Sequence, residues 1–397
     1  MRHDNLGTDI EIDFLDAVQA FIDRVVRPVE VRYAGELAET GTIDPARQLD
    51  ERRQLRRRSA AAGLYGAAMP EEVGGEGLNV GTIAHSYRLI GASGLLLADR
   101  GGVLPNVEGP QAPMIAMSPE QRDRYLAPLI RAEIEGCFAI TEPGAGSDAA
   151  NVQTTAKMDG DYWVINGTKQ FITHAAYADF VQVVAVTDPD ASAARRLTAF
   201  LVDMDSPGVS VGATHCTLGE DRPVDLYFDG VRVPDSAIVG GRGRALHYAL
   251  AGIGRARINI GALAIGKCEY LLQRMTEYAS QRTAFGRTIG GHQFVQGHIV
   301  DSGIEIEAAR GLLRSACEVA DQDDERARRL SATTKVYATE ALSRVADRAI
   351  QVFGGSGVTH STGIERFYRD ARAMRIYEGT SEVLRWNIAR WMGLPSS

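Results

Sequence analysis

The hydrophobic rhythm of the chain changes twice along its length, and those two changes constrain its fold more than any single motif. In the first third, Ile12, Phe14, Leu15, Val18, Phe21, Ile22 and Val25 recur at the three- and four-residue spacing of a helix, with charges between them. Gln48–Leu64 and Thr82–Leu97 are also long enough for helices, and the glycine-rich run Met69–Gly77 separates them. Ser118-Pro119-Glu120 opens another: serine caps, proline takes the first turn, and the acid suits the positive end of the helix dipole. From residue 134 the reading becomes β-rich. Cys137–Ile140 is a short apolar strand, and Tyr162–Thr173 reads as two runs turned at Asn166-Gly167. Phe180–Val186, Leu197–Val202 and Val224–Val231 add strands separated by Asp-Pro, Ser-Pro and Asp-Gly turns. After Gly240-Gly241-Arg242-Gly243 the helical pattern returns in Ala245–Gln281, Gln293–Ala320, Ala327–Gln351 and Ser381–Trp391, enough for a four-helix bundle. The expectation is an α+β multidomain protein. It has an N-terminal helical domain over residues 1–133, a middle β-barrel or sandwich domain over 134–243 and a C-terminal helical bundle over 244–397.

A chain of 397 residues can bury substantial cores, and its 45% hydrophobic and 24% charged content is ordinary for a globular protein. The formal charge of −8 argues against nucleic acid as a partner, because phosphate binding wants a basic face. Arg52-Arg53 and Arg56-Arg57-Arg58 form a basic cluster, expected to be a solvated helix face since no aromatics interleave it. Four scattered cysteines, Cys137, Cys216, Cys268 and Cys317, suit reduced thiols better than a disulfide frame or zinc site. The polar start and the lack of an apolar run of roughly 18–20 residues predict a cytoplasmic protein with no membrane contact.

Several apparent motifs dissolve in context. Gly144–Ala149 matches a loose dinucleotide fingerprint but leads into β-structure rather than opening a helix. Gly261–Lys267 resembles a P-loop, yet Cys268 stands where a hydroxyl should bind magnesium, and the stretch reads as helix throughout. It is expected to be a small-residue packing face. His292 and His298 point to different helix faces, and no metal site is expected.

Two segments carry chemistry. Arg375–Glu382 offers a carboxylate, Glu378, that could take a proton, and Thr141–Asp148 offers a glycine-bearing turn with amides and hydroxyls that could hold a polar cofactor. With Asn166–Thr173, Arg282–Gly286 and Gln351–Gly355 they make five segments in one order. The whole chain closely resembles the acyl-CoA dehydrogenase family.

The resemblance implies FAD bound noncovalently, an acyl-CoA substrate, and α,β-desaturation to a trans-2-enoyl-CoA in fatty-acid and lipid metabolism. Glu378 would be the base, with the β-hydride passing to flavin N5. The Glu378 amide and a flavin ribityl hydroxyl would stabilise the developing enolate. Phe138, Thr141 and Ser147 would line the flavin or the pantetheine arm, and Phe171 and Thr173 would flank the isoalloxazine. Arg282, Phe285 and Gln293 resemble the diphosphate and adenine contacts. Gln351, Gly354 and Gly355 resemble a segment that reaches the FAD of a neighbouring subunit, which implies a homodimer or homotetramer. Arg257, Tyr377 and Gly379 would face substrate, and Thr380 and Glu382 would touch FAD, although the family more often has glutamine at the latter place. Some relatives carry the base on an earlier helix; that place is Ala256 here. An electron-transfer flavoprotein or similar acceptor would take the electrons. The rivals are an oxygen-using oxidase or monooxygenase of the same fold, and a flavin-free scaffold. The acyl group stays open: Asp99, Arg100, Asn106 and Glu108 either reach the pocket floor or lie in solvent.

Overall fold

The computed structural model describes residues 9–99, 101–322 and 325–395; Arg100, one of the residues considered for the pocket floor, lies outside them. The chain divides into two compact units, each assembled from discontinuous segments.

The first unit gathers residues up to Leu55, Leu78–Val103 and Gly254 onward. Its longer helices are α1 (Asp9–Phe21), α2 (Pro45–Ala61, whose last residues belong to the other unit), α3 (Val80–Ser93), α4 (Ile253–Gln281), α5 (Gln293–Cys317), α6 (Glu325–Phe353), α7 (Glu365–Met374) and α8 (Ser381–Trp391). The predicted stripe of α1 buries Leu15, Val18 and Phe21. Asn79 caps α3 by accepting from the Thr82 amide at 2.9 Å. The main core joins Ile258, Ile265, Leu271 and Met275 of α4 to Ile306 and Leu313 of α5, Leu342 and Val345 of α6, and Phe367 and Met374 of α7. The fourth of the expected helices, α8, packs on α6 through a further cluster of Ala332, Val336 and Leu384.

Where α3 crosses α4, backbone meets backbone. A Cβ at Gly266 would lie 2.0 Å from the Arg88 carbonyl oxygen, and one at Gly91 would lie 2.4 Å from that of Leu263. The P-loop-like glycines are thus a packing face. Gly266→Ala is expected to cost about 1–3 kcal/mol, since neither backbone can yield without parting the helices. A denaturation midpoint equal to wild type would refute the close contact.

The second unit comprises Arg56–Gly77 and Leu104–Ile253. It is built on one eight-stranded sheet: β1 (Gly136–Ala139), β2 (Thr155–Asp159), β3 (Tyr162–Ile172), β4 (Phe180–Val186), β5 (Leu197–Asp203), β6 (Val209–Thr214), β7 (Val224–Pro234) and β8 (Ile238–Val239). The order is β6-β7-β3-β2-β4-β5-β8, with β1 added parallel to β4. β4 is buried along its whole length, because each face has a core. Trp163, Val181, Val183, Phe200 and Phe228 share one; Phe180, Val184 and Leu201 share the other with Met114, Leu126, Leu129 and Tyr248.

Three local expectations are corrected. Asn166-Gly167 is not a hairpin turn: β3 runs through it, with a register shift between Ile165 and Gly167, and the turn lies at Gly160, whose φ is 61°. Gly167 is needed for close approach, since a Cβ there would meet the Thr154 hydroxyl at 2.4 Å, and the Asn166 side chain accepts from the Gly230 amide at 2.8 Å. The helix expected over 245–281 breaks at Gly252 into Ala245–Ala251 and α4. Arg56 is not solvated; it is buried between Glu108 and Glu135, while Arg57 and Arg58 are exposed. No helix among the described residues is long and apolar enough to cross a membrane.

Candidate active site

In the second unit, the nominated residues surround the end of β1 and the end of β3. Phe138 lies on β1, paired with Gln182 of β4. The chain then turns, and the Thr141 carbonyl accepts from the Gln170 amide at 2.9 Å, tying the loop to β3. Two residues flanking Thr141 are pinned by one cation. Lys169 Nζ donates to the Ile140 carbonyl at 3.2 Å and to the buried Glu142 carboxylate at 2.7 Å. That carboxylate also accepts from the amides of Gln153 and Thr154 and from the Thr154 hydroxyl. Burial alone would raise the Glu142 pKa, but the Lys169 contact and these donors hold it below the ordinary carboxylate range. Beyond this anchor, Gly144 and Gly146 are open on their Cβ sides and Ser147 is exposed.

Phe171 sits in a second register shift of β3, between Lys169 and Ile172. Its φ is 57°, left-handed, and its ring is half exposed, lying 4.7 Å from that of His215. A bulge of this kind re-aims one side chain out of the strand alternation. Thr173 follows in the turn, half-buried, and His174 after it is again left-handed, with Nε2 3.2 Å from the Glu135 carboxylate.

In the first unit, the loop between α7 and α8 carries Tyr377, Glu378, Gly379 and Thr380. Glu378 and Gly379 are consecutive left-handed residues, with φ of 54° and 94°. Glycine suits position 379, because its φ strains any other residue and a Cβ would lie a tight 3.1 Å from Leu384 and 3.3 Å from the Arg257 guanidinium. Arg257 of α4 is buried and donates from Nε to the Glu378 carbonyl at 3.2 Å. Thr380 caps α8 by accepting from the Val383 amide at 3.2 Å, and Glu382 is exposed in the first turn of that helix. Glu378 is exposed as a residue, yet the protein packed around its carboxylate pushes its pKa above the usual range; the charges of Arg257 and Lys335 pull the other way. Desolvation therefore prevails, the environment that equips a carboxylate to act as a base near neutral pH.

Phe285 lies in a small hairpin after α4, 96% exposed and with φ of 53°. Arg282, Gln293 and Gln351 are exposed, as are Gly354 and Gly355. Three of the five non-glycine residues with left-handed φ among the described residues, Phe171, Phe285 and Glu378, are thus nominated site residues. Such conformations cost about 1–3 kcal/mol each and gather at functional sites.

The nominated polar side chains share another property. Among the described residues, the hydroxyls of Thr141, Ser147 and Thr173, the guanidinium of Arg282 and the amides of Gln293 and Gln351 have no partner within the chain. Taken separately, the hydroxyls, exposed Phe171 ring and open glycines of the β-rich unit, and the guanidinium, carboxamides and exposed Phe285 ring of the helical unit, each offer donors and a stacking face of the kind that a cofactor carrying a diphosphate and fused rings uses.

Of the residues considered for the pocket floor, Asp99 forms an ion pair at 2.6 Å with Lys267, which also reaches Asp370. Glu108 is buried, accepting from Tyr65 at 3.1 Å beside Arg56, so the solvent alternative fails for it; Asn106 is exposed. Sequence reasoning missed Lys169, Glu142 and Lys335 as builders of the site.

Sequence profiles of three domains match the chain: acyl-CoA dehydrogenase N-terminal domain over residues 8–133, middle domain over 137–231 and C-terminal domain over 243–393. The chain is 38% identical over 334 residues to (R)-benzylsuccinyl-CoA dehydrogenase of Thauera aromatica, covering 83% of this chain and 81% of that protein. Its fold matches acyl-CoA dehydrogenase from Geobacillus kaustophilus with a TM-score of 0.85 at 26% identity, over 99% of this chain and 100% of that one. It also matches the FAD complex of PigA, with a TM-score of 0.83 at 25% identity over 99% and 100% of the two chains. With an N-terminal helical, a central β and a C-terminal helical domain, the chain belongs to the acyl-CoA dehydrogenase family of FAD-dependent oxidoreductases.

Proposed function

We propose that this protein desaturates an acyl-CoA thioester between its α- and β-carbons, with Glu378 as the base. The observation that carries this reading is the strained loop, its Glu378 and Gly379 carbonyls held by Arg257 and Lys335, that presents a carboxylate of raised pKa. Thioester α-protons are poorly acidic, so abstraction needs a base of raised pKa and a donor for the carbonyl oxygen. The Glu378 carboxylate takes the α-proton. Its own amide, which has no acceptor among the described residues, donates to the thioester oxygen as enolate charge develops. FAD, when bound, would supply the acceptor for the hydride that leaves the β-carbon.

Thr141, Ser147, Thr173, Phe138 and Phe171 hold the cofactor from the β-rich unit, with Ser147 also reaching the pantetheine arm. Arg282, Phe285 and Gln293 hold its diphosphate and adenine end, and Thr380 touches it from the cap of α8. Glu382 serves the helix start: its own backbone amide and the Thr380 hydroxyl lower its pKa. Exposure of Gln351, Gly354 and Gly355 supports their reaching the cofactor of a second copy, in a homodimer or homotetramer. Arg257, Tyr377 and Gly379 shape the substrate side. Segments 1–133, 134–243 and 244–397 supply the three domains, and an electron-transfer flavoprotein or similar acceptor takes the electrons.

Anaerobic mixing with straight-chain, dicarboxylic and aryl-substituted acyl-CoAs tests the reading; the last two enter because the Thauera relative is named for benzylsuccinyl-CoA. The expected result is bleaching of the yellow flavin by one class and slow reoxidation in air. Rapid reoxidation with peroxide release would make the protein an oxidase instead, and colourless purified protein would make it a scaffold.

A further inference from the structure

The loop that carries Glu378 is held by two buried cations. Helix α6 places Lys335 on its buried face, alongside Ala332, Ala338, Thr339 and Leu342, and none of the residue reaches solvent. Taking an ammonium fully out of water is costly unless its donors meet well-placed acceptors. Here Nζ donates to the Gly379 carbonyl at 2.8 Å. One residue earlier, Arg257 donates to the Glu378 carbonyl at 3.2 Å. Two successive carbonyls, in the two consecutive left-handed residues of the loop, each end on a buried cation, and the cations come from different helices. A non-glycine residue persists at such a φ only when its surroundings over-determine it, and these two contacts do so.

The same cations act on the carboxylate. Arg257 and Lys335 are the charged groups that face Glu378. Lys335 itself faces Arg257, Glu378, Glu382 and Glu340; burial first, and then Arg257, push its pKa down to about 8, so it is still largely protonated at neutral pH.

We propose that Lys335 is a positioning residue for the base: by holding the Gly379 carbonyl while Arg257 holds that of Glu378, it locks the left-handed turn that aims the carboxylate and sets a buried positive charge before it. This rests on the reading of Glu378 as the base. Removing the charge leaves burial less opposed, so the carboxylate takes up its proton at higher pH, and the acid side of the pH–rate profile follows it upward.

The test compares FAD-loaded wild type, Lys335→Met, Lys335→Gln, Lys335→Arg and Glu378→Gln. Lys335→Met is expected to keep its flavin and to lose kcat on the acid side of the profile, by about tenfold there for each unit by which the titration of the base moves. The deficit should narrow as pH rises, with KM for the thioester little changed. Lys335→Arg, which keeps the charge, should keep the wild-type acid limb whatever happens to its maximal rate. The readout independent of turnover is infrared difference titration of the Glu378 carboxylate, referenced to Glu378→Gln; its midpoint should rise in Lys335→Met and stay in Lys335→Arg. An unmoved titration in Lys335→Met, or a loss of kcat uniform across pH, overturns the proposal. If Lys335→Met fails to fold, Lys335→Gln decides by the same criterion, because it keeps a donor but no charge. Should Glu378→Gln remain active, the base assignment fails instead, a result distinct from every Lys335 outcome.

Discussion

Glu378→Gln is expected to keep FAD and fold while turnover falls by about 10²–10⁴-fold, the usual loss when a general base is removed. The replacement is nearly isosteric and leaves the backbone contacts of the loop, the Arg257 and Lys335 donations to two carbonyls, in place. Its effect is thus confined to the proton-accepting group. The wild-type rate should fall on the acid side as Glu378, whose pKa burial raises above the ordinary carboxylate range, takes up its proton; the residual rate of the variant should lack that limb. Stability should move the other way. A carboxyl group whose folded pKa lies above its unfolded value costs the fold nothing below the unfolded pKa, and costs more as pH rises through the folded one. The neutral amide escapes that cost, so at neutral pH the thermal midpoint of Glu378→Gln should equal or exceed that of wild type, the signature of a residue kept for activity at the expense of stability. Anaerobic flavin bleaching with the best acyl-CoA, together with a melting curve, checks both halves; turnover within tenfold of wild type would remove Glu378 from its role.

The succession of helical, β-rich and helical thirds was legible because it rests on periodicity, which survives whatever the side chains later do. Element ends and turns were less so. Asn166-Gly167 carries a strong local hairpin signal, but pairing of β3 with β7 along both halves overrides it, and the glycine serves close approach to Thr154 instead. Arg56 reads as part of a solvated run because its partners, Glu108 and Glu135, lie far away in sequence. The loop of Glu378 and the turn of Thr141 were visible as motifs; the cations that shape them were not. Lys335 offered one signal: it falls on the same helical face as Ala332, Thr339 and Leu342, where a lysine is out of place. Lys169 offered a similar one, since in β3 it shares a face with Ile165 and Trp163, whose side chains fill a core. A charge on an apolar face shows that a partner exists without naming it, and the partner is supplied only by tertiary folding.

For Lys169 that partner is Glu142, and the pair supports the second large prediction. Both residues are buried, and the ion pair ties the turn bearing Thr141 to β3. Lys169→Met leaves the Glu142 carboxylate with its three other donors, the Gln153 and Thr154 amides and the Thr154 hydroxyl, but with no cation. Breaking a buried pair from one side costs about 3–5 kcal/mol because the remaining charge is uncompensated. The sign of the pH dependence follows. In wild type, Glu142 has a depressed pKa, so its contribution is present above the unfolded carboxylate pKa and fades as pH falls through the folded one. In Lys169→Met, burial is no longer opposed by the lysine, the folded pKa rises, and acid relieves the penalty by neutralising the group. The stability gap between variant and wild type should therefore be widest near neutral pH and close as the solution is acidified, which urea denaturation at several pH values will show. Lys169→Met combined with Glu142→Gln should recover much of the loss, because it removes both charges together. Flavin retention should track the same order, lowest in the single variant, since the loop carrying Thr141 and Ser147 is what the pair holds in place. A gap independent of pH would mean that Lys169 acts through packing of its aliphatic stem rather than through its charge.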